Sequence, residues 1–102
     1  MNDEYAARIL VWAMDRPWTA AEMSDGLGIP ISACYNRIRM LEEIGLLRRA
    51  EMRSSPSGKP IAAYQSMLKK GTVVLDRGAV RIRLELTDGR TEEMTLVHEA
   101  PP

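Results

Sequence analysis

Trp18-Thr19-Ala20-Ala21-Glu22-Met23-Ser24-Asp25-Gly26-Leu27-Gly28-Ile29-Pro30 decides how the rest of the chain is read. Thr19 and Glu22 stand three residues apart, the spacing of a capping box. In that motif a hydroxyl accepts from the first-turn backbone while the carboxylate reaches back to the cap N–H. Trp18 and Met23 flank the box at the positions of a hydrophobic staple. A helix is therefore predicted to start at Ala20. Gly26 and Gly28 are placed to end it after about two turns, and Pro30, whose fixed φ suits a first helical turn, opens the next helix. In that third helix Ile31, Cys34, Ile38 and Leu41 fall in one narrow sector, with Ser32, Asn36, Arg39 and Glu43 roughly opposite. One face is expected to be core and the other free for a partner. Gly45 stops the helix.

Upstream, Ala6, Ile9, Leu10 and Ala13 recur at three- and four-residue spacing and predict a first helix from Glu4 to Met14, ended by Arg16-Pro17. Downstream, Leu46 to Arg53 is strand-like, Ser54 to Pro60 is a hairpin tip, and Ile61 to Met67 returns as the second strand. Beyond Lys69-Lys70-Gly71, the runs Thr72 to Leu75, Val80 to Leu86 and Thr91 to His98 predict an antiparallel three-stranded β meander with turns at Arg77-Gly78 and Asp88-Gly89. A three-residue loop, Thr87-Asp88-Gly89, sets Ile82 opposite Met94, Val80 opposite Leu96 and Arg83 opposite Glu93. One face of the meander is then apolar and the other ion-paired. The apolar face calls for a cover, expected from the hairpin sheet, the first helix or a second subunit. Glu99-Ala100-Pro101-Pro102 carries no pattern and reads as frayed.

At 102 residues the chain has room for one domain, or one small domain with an appendage, and none for a second catalytic lobe. Its 45% apolar and 27% charged residues are those of a soluble protein, and no stretch is apolar for the ~20 residues that cross a bilayer. Met1-Asn2-Asp3-Glu4 is acidic where a secretory signal is basic, and Cys34 alone forms no internal disulfide, so a reducing, cytoplasmic setting is expected. One His and one Cys are too few for a structural zinc site or a Cys-His nucleophile pair. Neither a metal, nor a cofactor, nor enzymatic activity is expected. Cys34, on the core stripe, reads as a small buried hydrophobe.

The net charge is zero, but it is unevenly spread. Residues 1–30 hold two basic against five acidic residues, residues 31–70 eight against three, and residues 71–102 four against six. An anionic partner is thus expected to meet the middle third.

Helix, short capped helix, tight turn, amphipathic helix and basic-tipped hairpin is the order of an α+β winged helix-turn-helix. The residues Arg8-Ile9-Leu10, Trp18 to Met23, Leu27-Gly28-Ile29-Pro30, Leu41-Glu42-Glu43-Ile44-Gly45-Leu46-Leu47-Arg48-Arg49 and Tyr64 resemble the ArsR-like winged-helix regulators of bacteria and archaea. The resemblance covers roughly residues 5–67, is most specific over Leu41 to Arg49, and does not extend to residues 72–98. It implies a transcription regulator that binds double-stranded DNA as a dimer, with the N-terminal half of the third helix in the groove. The thiols and histidines of the metal-sensing members are missing here. Residues 4–68 are read as the DNA-binding domain and 71–98 as the appended meander, packed on the same domain or at a dimer interface.

A B-DNA major groove admits one helix, and its phosphates reward cations on either side. Ser32, Tyr35, Asn36 and Arg39 lie at i, i+3, i+4 and i+7 and share one surface. Asn pairs bidentately with adenine and Arg with guanine, so Asn36 and Arg39 are the leading base readers. Arg37, nearer the core edge, and Arg53 and Lys59, flanking the hairpin tip, are expected on phosphates. Val11 and Trp12 make the first helix apolar almost all round, which suggests a homodimer interface. The rival expectation is a winged helix serving as a protein-interaction adaptor without DNA binding, for which apolar anchors on the third helix would be the sign. A small-molecule effector is not readable from the sequence.

Overall fold

The computed structural model describes residues 4–98, which divide into two compact units at residues 67 and 68. The first unit opens with α1 (Glu4–Trp12), whose apolar spacing buries Ala6, Ile9 and Leu10. The helix stops at Trp12 rather than Met14, because its last bonds tighten: Ala13 N–H donates to the Ile9 carbonyl but Met14 N–H to that of Val11. The short strand β1 (Trp18–Thr19) then leads into α2 (Ala20–Leu27). The capping box is formed, with Thr19 Oγ1 accepting from the Glu22 N–H at 3.1 Å and Glu22 Oε1 accepting from the Thr19 N–H at 2.9 Å. Gly28, at φ +67°, ends α2 in the left-handed conformation.

Gly26, expected to help end α2, instead lies within it. A Cβ there would stand 2.7 Å from Trp12 Cζ2, so glycine is what lets the indole lie against the helix.

Helix α3 (Ile31–Glu43) buries Cys34, Ile38 and Leu41. Its end is a Schellman motif: Gly45, at φ +80°, donates to the Glu42 carbonyl and Leu46 N–H to the Leu41 carbonyl. Ile31, placed on the core stripe by its angle, is 44% exposed. Side chains on a helix lean toward its N-terminus, so a first-turn residue overhangs the end of the core.

Strands β2 (Leu47–Ser54) and β3 (Pro60–Ser66) form an antiparallel hairpin, and β1 adds to the far side of β3. Trp18 pairs with Tyr64 and Thr19 with Ala63, a strand the sequence did not announce. Between Arg49 and Glu51 the register shifts, leaving Ala50 as the extra residue of a bulge. Ile9, Ala13, Met23, Ile29, Cys34, Ile38, Leu41 and Ala63 are almost wholly buried and form the core of this unit. The rings of Trp12 and Trp18 lie 5.3 Å apart at 57° and extend it.

The second unit is an antiparallel sheet of β4 (Leu68–Asp76), β5 (Ala79–Leu86) and β6 (Thr91–His98), in that order. Strand β4 is longer than the expected Thr72 to Leu75, because pairing with β5 carries it from Leu68 to Asp76. Gly89 has φ +90°, donates to the Leu86 carbonyl and closes the three-residue loop, while Leu86 N–H donates to Arg90 O. Ile82 pairs with Met94 and Arg83 with Glu93, as the loop length predicts. Val80, however, pairs with Val97 rather than Leu96, because a bulge falls between Val80 and Arg81. Arg81 contacts Asp76 and Glu93 at 3.2 and 3.7 Å, and Arg83 contacts Glu93 at 3.8 Å. Leu84 and Leu86 are buried, whereas Val73, Leu75 and Met94 are 60%, 74% and 47% exposed. The expected fraying of Glu99 to Pro102 falls outside the described residues.

Candidate nucleic-acid interface

On α3 the inward anchors Cys34, Ile38 and Leu41 fix which side faces out. That outer side carries Ser32, Tyr35, Asn36 and Arg39, all exposed. Four donors or acceptors and one aromatic ring edge therefore line about two turns of a single helix. Cys34 is wholly buried, and burial pushes its thiol up from its ordinary value, which keeps it protonated and inert.

The cations fall into two groups. Lys59 is exposed at the hairpin tip, where Ser55 N–H donates to its carbonyl and Gly58, at φ +82°, donates to Ser55 O. Arg48 and Arg49 are exposed on β2. Arg48 donates to Gln65 Oε1, and the Arg49 guanidinium stands 5.8 Å from the Tyr64 ring centroid. Sequence reasoning named neither as a contact. The signal available was the Arg48-Arg49 pair directly after the buried Leu46-Leu47.

Arg37 and Arg53 are engaged within the fold. Arg37 is half-buried, its guanidinium 5.7 Å from the Tyr5 ring of α1. Arg53 donates from Nη1 to Glu22 Oε1 at 2.7 Å, from Nε to Glu51 Oε1 at 2.8 Å and from Nη2 to the Pro17 carbonyl at 2.9 Å. It ties β2 to the segment that enters α2. The Thr19 backbone N–H, followed by the Arg53 charge, holds the Glu22 carboxyl below its ordinary value. The same two carboxylates raise the Arg53 pKa, Glu51 first. Phosphate contact by Arg53 would compete with three bonds already made.

On α1, Val11 is 63% exposed, while Trp12 is half-buried with its indole N–H shielded from solvent. Arg8 donates to the Leu27 carbonyl at 2.6 Å and locks α1 to the end of α2. Among the described residues no group of three or more His, Cys, Asp or Glu side chains is arranged to hold a metal ion. No helix among them is long and apolar enough to cross a membrane.

The family model described as a helix-turn-helix domain matches residues 4–50, which takes in α1, α2, α3 and the start of β2. The match supports a DNA-binding regulator in general. No curated protein matches the chain.

Proposed function

We propose that this protein is a sequence-specific DNA-binding transcriptional regulator of the winged helix-turn-helix class, ArsR-like over its first two-thirds. The observation that carries the proposal is the outer side of α3: Ser32, Tyr35, Asn36 and Arg39 exposed opposite a fully buried stripe. In this reading α3 enters the major groove, Asn36 and Arg39 read base edges, and the β2–β3 hairpin is the wing whose Lys59 meets phosphate. Arg48 and Arg49 join Lys59 as backbone contacts, Arg37 touches the backbone from the edge of α3, and Arg53 acts mainly as an internal clamp. Residues 4–68 are the DNA-binding domain of this proposal, and 71–98 an appended meander with a structural or dimer-forming role. The protein works without catalysis, in the cytoplasm.

Two-fold operators favour a homodimer. Its support is a shallow groove of about 330 Å³ beside α1, lined by Glu4, Ala7, Arg8, Val11, Trp12 and Leu27. Exposed Val11 is the leading anchor, and half-buried Trp12 stands beside it in the groove. Light scattering at tens of micromolar is expected to return twice the 11.4 kDa chain mass. A mass of one chain over a broad concentration range removes the dimer.

The adaptor reading draws on Ile31, Tyr35 and Ile44, exposed at 44%, 53% and 55%. Ile31 and Tyr35 sit one turn apart near the start of α3, and Ile44 caps its other end, so the three form no single anchor patch. Fluorescence anisotropy separates the readings, using the duplex upstream of the protein's own gene and a shuffled duplex of equal composition. Tighter binding to the upstream duplex supports the regulator, and no binding to either duplex supports the adaptor.

A further inference from the structure

Beside the outer side of α3 the first unit has a notch of about 260 Å³, lined by Thr19, Ala20, Ala21, Tyr35, Ile61, Ala62 and Tyr64. It lies between the start of α2, the first half of α3 and the tip end of β3. Its lining mixes methyl groups from three alanines and Ile61 with two tyrosines and Thr19. Tyr35 is 53% and Ile61 37% exposed, so the lip of the notch is open to solvent rather than closed over by the fold. Tyr35 belongs to two surfaces at once. It is a member of the polar row Ser32, Tyr35, Asn36 and Arg39 and also a wall of the notch.

That shared residue restricts what the notch can meet. If α3 lies in a major groove, whatever touches Ser32 or Arg39 brings its neighbour against Tyr35, because Tyr35 stands about one turn from each on the same side of the helix. Most of the groove edge of a base pair is hydrogen-bonding atoms: N7, O6, O4 and the exocyclic amines. The one apolar projection there is the C5-methyl group of thymine. At the lip, Tyr35, Ile61 and Ala62 offer those polar atoms only the Tyr35 hydroxyl, while the deeper Thr19 and Tyr64 are buried and Thr19 Oγ1 already accepts from the Glu22 N–H, so seating a guanine or cytosine edge at the lip leaves donors or acceptors unpaired. A methyl group loses nothing by the move and sheds water.

We infer that the notch is a thymine-methyl site, with Ile61 and Tyr35 as its lip, and that Ile61 is a specificity-determining residue contributed by the hairpin rather than by the helix. The inference rests on the DNA-binding reading above. It gives the hairpin a part in base choice through the apolar side chain of β3, where the proposal otherwise gives it only phosphate contacts. Ile61 stands directly opposite Arg53 across the hairpin, so the lip and the clamp are cross-strand neighbours, and the folded state of Ile61→Ala has to be checked beside its binding.

The test replaces thymidine by deoxyuridine, which removes only the methyl group, one position at a time. The probe is the duplex upstream of the protein's own gene, or, if another sequence binds more tightly, the duplex selected from a random library. With the wild-type full chain, substitution at one thymine per half-site is expected to weaken binding about fourfold, the worth of one buried CH2-sized group, and the other positions to be silent. In Ile61→Ala the same substitution should cost less than twofold, while the deoxyuridine-free duplex binds more weakly than it does to wild type. Tyr35→Phe is a second variant, and it should keep the deoxyuridine effect. Circular dichroism melting checks that Ile61→Ala is folded, and the wild-type scan stands whether or not it is.

Salt-sensitive binding with every deoxyuridine duplex equal to its thymidine parent overturns the inference and leaves the DNA-binding reading intact. A deoxyuridine effect that persists undiminished in Ile61→Ala also overturns it, because the methyl is then read elsewhere. Absence of salt-sensitive affinity for any duplex removes the DNA-binding reading and the inference with it.

Discussion

The described residues form two three-stranded antiparallel sheets, and they differ in how their apolar side chains are housed. In the first, Leu47, Ala63 and Tyr64 are buried in a unit that also holds three helices. In the second, Leu84 and Leu86 are buried but Val73, Leu75 and Met94 remain exposed, while Arg81, Arg83, Asp76 and Glu93 pair with one another. A sheet with one apolar side is stabilised by cover, not by its hydrogen bonds alone. The first unit carries its own core, whereas the second leaves several large apolar side chains exposed.

The largest effect expected from this difference is on stability. Ile38→Ala removes a buried branched side chain from α3 and should cost about 2–5 kcal/mol in denaturant unfolding. Leu75→Ala, at 74% exposure, should fall within about 0.5 kcal/mol. A Leu75→Ala loss well above 1 kcal/mol would mean that something covers that side of the sheet in solution, and repeating it at several protein concentrations would tell a second copy from an internal cover.

Next in size is Arg39→Ala, expected to cost about 1–3 kcal/mol in DNA affinity and to relax preference at one base pair, with unfolding unchanged. It sharpens the contrast within α3 between a side that holds the fold and a side that does not. A stability loss comparable with that of Ile38→Ala would erase the contrast.

The smallest effects concern the entry to α2. Thr19→Ala should cost about 1 kcal/mol through loss of the cap. Glu22 has a carboxyl pKa lowered by the fold, so its contribution is complete above the ordinary glutamate range and lost as pH falls through the lowered value. Glu22→Gln should therefore flatten the acid side of the stability profile by a few tenths of a kcal/mol, because the Glu22 side chain is 37% exposed and screened by solvent. An unchanged acid limb would show that neither the Thr19 N–H bond nor the Arg53 charge on Glu22 couples to folding.

What the sequence disclosed, and what it hid, divides along the same line of local against distant contacts. The capping box at Thr19 and Glu22, the ending at Gly45 and the loop at Gly89 are set by residues within about five positions of one another, so their spacing is their geometry. The edge strand of the first sheet, Trp18–Thr19, forms only because Tyr64 and Ala63 come alongside, and two residues have no period to read. Gly26 looked like punctuation because Trp12, which demands it, is fourteen positions away. Spacing alone sets Arg53 beside the hairpin tip as a phosphate contact and does not show its internal bonds, because its partners Glu22 and Pro17 lie 31 and 36 positions back. The outer side of α3 was legible because helical periodicity alone separates Ser32, Tyr35, Asn36 and Arg39 from Cys34, Ile38 and Leu41. The notch beside Tyr35 was not, because it needs β3 to be folded against the start of α2 and α3.

The central claim is that the basic middle of the chain meets DNA, and the salt dependence of binding tests it most directly. Log affinity plotted against log salt concentration should fall linearly for the wild type, and Lys59→Ala should weaken all duplexes alike and shallow the slope by about one. A wild type with no salt-sensitive affinity for any duplex, or a Lys59→Ala slope identical to that of wild type, would contradict the account.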